Sequence, residues 1–330
     1  MESGSNLLEK IDILSKDKEL CSKLNKLLPE ILRGSIISTK DFFIGTDSNC
    51  IYVKSSSGNE AVVKIPRYLH EAQALEDQKP MHHPFKQAWI LKTLKNLNIL
   101  CPNLLYLDPD DKFLIEQFIP EKNYLEAEPE ITRQERGTIL SHLGQNLRLM
   151  HEVKSSKYGY LVLEKENEGS YETWVSFFDR LEGVLQECKK HGFLQDDKIQ
   201  IIEDIKKDQT EYLTNFNDPR ILHADLCTRN LLVKKNMTSY ELSGLIDFAN
   251  IIAGDPLYDI GNILCEFGGE WEVIELEKGY FTQGSFNNEQ KKVVIFYAIW
   301  FCLWNFDFSQ NDFCPSSNLQ TLDKLINLYY

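Results

Sequence analysis

The stretch Ile221–Asp259, ILHADLCTRNLLVKKNMTSYELSGLIDFANIIAGDPLYD, decides the fold. It holds His223-Ala224-Asp225, then Asn230 five residues after the aspartate, then Ile246-Asp247-Phe248. Apolar runs at Leu231–Val233 and Leu242–Phe248 flank the polar turn Lys234–Ser239, so the segment predicts two short strands joined as a hairpin. Such a hairpin brings Asp225, Asn230 and Asp247 together although Asp225 and Asp247 are 22 positions apart. Singly, an Asp or Asn in a loop is usually a turn former or a cap. Spaced in this way, the three offer what phosphoryl transfer needs. Asp225 can accept or orient a hydroxyl proton, and Asn230 and Asp247 are a neutral and an anionic oxygen ligand for magnesium, a hard cation that also binds phosphates.

The rest of the chain sets bounds on that reading. Its 330 residues suffice for one large domain or for two lobes sharing a cleft. A composition 42% hydrophobic and 26% charged is that of a globular protein. The formal charge of −14 and a pI near 5.1 speak against a nucleic-acid binder and against adhesion to anionic lipid. The apolar run Val293–Trp304 is too short to span a bilayer and reads as a buried helix. The N-terminus has no basic stretch followed by an apolar core, so no secretory signal is expected. Eight scattered cysteines, with no Cys-x-x-Cys pair, point to free thiols in a reducing cytoplasm rather than to zinc or disulfides.

Periodicity divides the chain in two. Leucine and isoleucine recur at helical spacing from Leu7 to Leu28. Short strands follow within Ile31–Lys64, then a helix from about Phe85 to Leu97, then a strand pair near Leu104–Leu107 and Phe113–Phe118. From Glu121 the texture is helical, over Gly137–Val153, Tyr171–Gly192 and Asp196–Phe216. The expected architecture is α+β and two-lobed, with a small antiparallel β lobe at 1–119 and a larger, mostly helical lobe at 120–330.

These motifs resemble the aminoglycoside phosphotransferase family, whose members share the protein-kinase-like fold. The family pattern is His-Gly-Asp-x-x-x-x-Asn, then Ile-Asp-Phe or Ile-Asp-Trp, then Gly-Asp-Pro-x-x-Asp. Here Ala224 replaces the usual glycine, and Gly254-Asp255-Pro256-Leu257-Tyr258-Asp259 completes the pattern. The resemblance implies a catalytic Asp225, magnesium ligands Asn230 and Asp247, and Asp259 as a buried carboxylate bracing the loop, with His223, Arg229 and Asp255 in support. It further implies a nucleotide loop at Gly45–Tyr52 using Ser48 and Asn49, and Lys64 on the α- and β-phosphates. Phe113–Pro120, with Glu116, Gln117 and Phe118, would hold the adenine ring, and Ile246 would also line the nucleotide site. Leu143–Val153 resembles the helix that precedes the catalytic loop.

One departure concerns the partner of Lys64, normally a glutamate on the following helix. The best register puts Gln87 there; Glu71 or Glu76 is an alternative, and Glu71 is favoured. The family implies ATP or GTP with Mg2+ and a hydroxyl-bearing small molecule as acceptor. Glu266, Glu270, Trp271, Trp300 and Trp304, in a region also rich in Glu272, Glu275 and Glu277, suggest a cationic acceptor such as an aminoglycoside. The alternatives are a kinase of another metabolite (choline-, homoserine- or sugar-like) and a nucleotide-binding pseudokinase. A protein kinase is disfavoured. The chain has no His-Arg-Asp, Asp-Phe-Gly or Ala-Pro-Glu, and about a dozen residues separate Asp247 from Asp259.

Overall fold

The computed structural model describes residues 5–44, 48–66, 83–161, 168–305 and 316–330. The chain divides into two compact units, 1–120 with 244–249, and 121–243 with 250–330. The short segment 244–249, placed by its sequence position in the second lobe, belongs with the first unit, where Leu245 N–H donates to Leu100 C=O at 2.8 Å.

The first unit begins with α1 (Ser5–Leu8), α2 (Asp12–Lys16) and α3 (Lys18–Ile31). The helical spacing of Leu7–Leu28 is therefore three helices. The break has a physical cause: the Asp17 side chain accepts Leu20 N–H at 2.9 Å and caps a new helix. Five strands follow, β1 (Ile36–Ile44), β2 (Ser48–Ser55), β3 (Glu60–Pro66), β4 (Leu104–Leu107) and β5 (Leu114–Gln117), with α4 (Pro84–Asn96) between β3 and β4. They form an antiparallel sheet in the order β1-β2-β3-β5-β4. Strand side chains alternate faces. Ile51, Val53, Ala61, Val63, Ile65, Phe113 and Ile115 share one core with Leu14, Leu20, Leu24 and Leu28 of the helices. The even-numbered partners Cys50, Lys64 and Glu116 thus project from the opposite face.

The second unit contains β6 (Lys122–Asn123), α5 (Tyr124–Ala127), α6 (Arg133–Met150), β7 (Tyr158–Leu161), β8 (Gly169–Tyr171), α7 (Trp174–Phe177), α8 (Leu181–Lys190) and α9 (Asp196–Asn215). After these come β9 (Arg220–Leu222), β10 (Leu231–Lys235), β11 (Tyr240–Leu245), β12 (Ile252–Gly254), α10 (Leu257–Phe267), α11 (Glu270–Tyr280), α12 (Asn288–Trp304) and α13 (Ser316–Tyr329). Two small sheets, β11-β10-β6 and β8-β7-β12-β9, interrupt the helices. The second is invisible to periodicity because its strands are three or four residues long. Tyr171–Gly192 is not one helix. Trp174, Phe177 and Phe178 turn into an aromatic core, Trp174 stacking on Phe177 at 4.9 Å and Phe178 on Tyr297 at 5.5 Å.

Helix α6 anchors the start of β11. Its capping glutamate, Glu135, accepts Thr132 N–H at 2.7 Å and also Tyr240 N–H, at the start of β11, at 2.9 Å. Helix α11 crosses α6 at Gly144 and Gly279. A Cβ at Gly144 would lie 2.2 Å from the Leu276 carbonyl oxygen, and one at Gly279 only 1.7 Å from that of Ser141. Only glycine permits this approach. The apolar run Val293–Trp304 lies in α12, buried from Val293 to Leu303. No helix among the described residues is long and apolar enough to cross a membrane.

Candidate active site

The loop His223–Cys227 leaves β9, passes through the 3-10 turn Thr228–Asn230 and enters β10. His223 is fully buried, and Ala224 has φ of +60°, a left-handed conformation that costs a residue with a Cβ roughly 1–2 kcal/mol. This is the position where the family pattern has glycine. The strain is held by Asp259, whose Oδ2 accepts His223 N–H at 2.9 Å and whose Oδ1 accepts Ala224 N–H at 2.8 Å. Asp225 is fixed from three directions. Its N–H donates to His223 Nδ1 at 3.3 Å, its C=O accepts Asn230 Nδ2 at 2.9 Å, and its Oδ2 accepts Asn250 Nδ2 at 3.2 Å. Because Asn230 spends its amide nitrogen on the loop, its Oδ1 is the atom left for a cation. Arg229 is exposed. Burial pushes the Cys227 thiol up to about 11, so the loop offers no thiolate nucleophile.

Helix α10 clamps this loop along one face. Asp259, Asn262 and Glu266 follow at helical spacing. Asn262 Oδ1 accepts Leu226 N–H in a short hydrogen bond. Glu266 Oε1 accepts both Thr228 N–H, at 2.8 Å, and Thr228 Oγ1, at 2.7 Å. Behind Asp259, His151 Nε2 lies 3.1 Å from Oδ2 and His151 Nδ1 lies 2.9 Å from the Tyr280 hydroxyl. Asp255 is buried and accepts Tyr212 Oη at 2.9 Å, Tyr297 Oη at 2.8 Å and Leu257 N–H, at the start of α10, at 3.0 Å. Burial pushes its carboxyl above the usual range, which the two tyrosine donors only partly offset. No spacing in the sequence marks His151, Asn250 or Asn262 as site residues. The one pointer is that His151 ends the helical segment Leu143–Val153 before the loop.

In the first unit Lys64 is buried, with Nζ 3.1 Å from Glu116 Oε1 and 3.6 Å from Asp247 Oδ1. Burial alone would lower its pKa, but the two carboxylates hold it above the ordinary lysine value, so Lys64 stays charged. Among the described residues its glutamate partner is therefore Glu116 of β5. Glu71 and Glu76 lie outside the described residues, and Gln87 is buried on α4. The reason is register: Glu116 sits opposite Val62, so Lys64 is its diagonal neighbour on the same face. Glu116 thereby turns its side chain to the lysine, while Gln117 is exposed and accepts Asn103 Nδ2, and the Phe118 ring packs edge-on to Tyr52 at 4.9 Å. Ser48 Oγ is buried with no hydrogen-bond partner among the described residues, and Asn49 pairs in register with Ile65. Gly45–Asp47 lie outside the described residues. Asp247, two residues past β11 and beside half-buried Ile246, has φ of +65° and a half-exposed side chain.

The acceptor residues expected from sequence are largely occupied elsewhere. Glu266 holds the loop through Thr228, and Trp300 is a core residue whose Nε1 donates to the Tyr258 hydroxyl at 3.0 Å. Arg136 lies 3.4 Å from Glu272, Lys278 pairs with Glu275 at 2.6 Å, and Glu277 accepts Phe286 N–H at 2.9 Å. Glu270 and Trp304 are exposed, and Trp271 lies under the Arg133 guanidinium at 4.5 Å. Trp271 and Arg133 line an open groove of about 410 Å³ between α6 and α11.

Residues 38–292 match the model of the phosphotransferase enzyme family. Among solved structures, the GDP complex of aminoglycoside 2'-phosphotransferase-IIIa superposes with a TM-score of 0.64 at 14% identity, over 95% of this chain and 99% of that one. A protein assigned as a fructosamine-3-kinase of Thermobifida fusca gives 0.63 at 15% identity, over 92% and 98%. The gentamicin complex of APH(2")-IIa gives 0.60 at 15% identity, over 93% and 98%. At such low identity these likenesses speak for the fold, which is the α+β, protein-kinase-like one, whereas the family match speaks for the chemistry. The chain belongs to the phosphotransferase enzyme family.

Proposed function

We propose that this protein is a small-molecule kinase that moves the γ-phosphoryl group of ATP or GTP to the hydroxyl of an amine-bearing acceptor. The observation that carries the reading is the three-way fixation of Asp225 by His223, Asn230 and Asn250. The acceptor oxygen bonds to the γ-phosphorus, the bond to the β-phosphate oxygen breaks, the hydroxyl proton passes to Asp225, and the nucleoside diphosphate leaves. Lys64 supplies a fixed positive charge for the α- and β-phosphates, and Glu116 orients it. Asn230 Oδ1 and the Asp247 carboxylate suit magnesium, which when bound neutralises developing phosphate charge. Asn230 and Asp247 supply two oxygens, and phosphate oxygens of the nucleotide would complete the shell. The Lys64–Glu116 pair gives the lysine a carboxylate partner, which supports an active kinase over a pseudokinase. For the acceptor, support comes from neighbours captured with gentamicin, streptomycin and hygromycin B and from the fructosamine kinase.

The test is turnover of Mg-ATP and Mg-GTP against gentamicin, streptomycin, hygromycin B and a fructosamine, with nucleotide binding followed by calorimetry. Asp225→Asn is expected to lower turnover by at least about a hundredfold with nucleotide binding nearly intact. Asp247→Asn is expected to weaken Mg-nucleotide binding itself. Equal binding defects in the two variants would overturn the assignment of roles.

A further inference from the structure

Asn250 ends the 3-10 turn Phe248–Asn250, three residues past Asp247. Its Nδ2 donates to Asp225 Oδ2 at 3.2 Å, and among the described residues its side chain makes no other hydrogen bond. A carboxylate only accepts, so the amide must face Asp225 with its nitrogen. The α10 clamp is different in kind, because Asp259, Asn262 and Glu266 grip the loop chiefly through its backbone N–H groups. Those bonds set where the loop runs but do not touch the Asp225 carboxylate, whose terminal torsion is intrinsically broad and roughly two-fold. Asn250 acts on the carboxylate itself.

We propose that Asn250 is a positioning residue for phosphoryl transfer: by donating to Oδ2 it helps to fix the carboxylate plane of Asp225 relative to the acceptor hydroxyl. The inference rests on the kinase reading above. A neutral amide suits the task. It orients the acceptor of the proton without the strong loss of basicity that a lysine or arginine in its place would cause. Orientation of this sort governs the chemical step rather than ground-state binding, so its loss belongs in kcat.

The experiment compares Asn250→Ala and Asn250→Asp with the wild type and with Asp225→Asn. The substrates are Mg-ATP and Mg-GTP, with gentamicin, streptomycin, hygromycin B, a fructosamine, or water as acceptor, and melting temperature is measured alongside. Asp keeps the shape of Asn but cannot donate when ionised, so a merely space-filling role would survive that change. Both Asn250 variants are expected to lose about 10- to 100-fold in kcat, with KM for nucleotide within about twofold and little change in melting temperature. Asn250→Asp with wild-type kcat, or a loss confined to KM, would overturn the proposal while leaving the kinase reading intact. A fully active Asp225→Asn, or a wild type that turns over neither nucleotide with any acceptor or with water, would overturn the kinase reading and this inference with it.

Discussion

Lys86, on α4, has 3% of its surface exposed, and its ammonium has no hydrogen-bond partner among the described residues. Burial lowers its pKa from the ordinary 10.5 to about 7. Folding at neutral pH therefore competes with protonation of the unfolded chain. Between pH 7 and 10.5 the unfolded state binds more protons, so the Lys86 contribution to stability rises with pH across that window. Lys86→Met removes the penalty. Differential scanning calorimetry should show the variant melting above the wild type at pH 7, with the gap closing toward pH 10. A variant less stable at pH 7, with an unchanged pH trend, would show that the ammonium is favourably placed. At this scale the sequence is legible where spacing is short. Asp225, Asn230 and Asp247 stand out because a hairpin joins them. The Lys64–Glu116 pair does not, because it depends on β3 lying beside β5 with α4 and β4 intervening in the chain.

Helix α10 shows how an element converts a repeat of three to four residues into a fixed loop. Asp259 satisfies two N–H groups, Asn262 one, and Glu266 one N–H and one hydroxyl. A buried donor left unpaired costs about 1–3 kcal/mol, and the Ala224 strain would be released against the same loop. Asp259→Ala should therefore lower the melting temperature most, Asn262→Ala less and Glu266→Ala least, with activity lost in the same order. Thermal melts of the three variants check the ranking, and an Asp259→Ala protein that melts like the wild type would refute the clamp. The amphipathic pattern made α10 findable as a helix, but a carboxylate facing a loop looks in sequence like one facing water. That is why Glu266 resembles an acceptor contact until its partner Thr228 is seen. Strands of three residues such as β9 and β12 carry no period at all; they exist because they pair with each other, and β12 also with β7.

Across the whole chain the net charge is −14, and the structure changes what that charge can mean for an acceptor. Of the glutamates grouped at Glu266–Glu277, Glu266, Glu272, Glu275 and Glu277 are engaged by Thr228, Arg136, Lys278 and Phe286 N–H, which leaves Glu270 exposed. If the acceptor is cationic, its attraction would then come from the summed field of the molecule, since among the described residues these glutamates form no carboxylate cage. A summed field acts over long range and is screened accordingly: the screening length falls from about 30 Å at 0.01 M ionic strength to about 8 Å at 0.15 M. For gentamicin or streptomycin as acceptor, KM should rise several-fold over that range while kcat changes little, because salt weakens encounter and not the phosphoryl transfer itself. Glu270→Gln should shift KM by less than about twofold, since it removes one charge of many. Steady-state kinetics on both proteins at the two ionic strengths decides the point. A large effect of Glu270→Gln alone would restore a local carboxylate site. A KM indifferent to salt, or turnover confined to neutral and anionic hydroxyl compounds, would remove the cationic acceptor and leave a kinase whose acidity serves solubility.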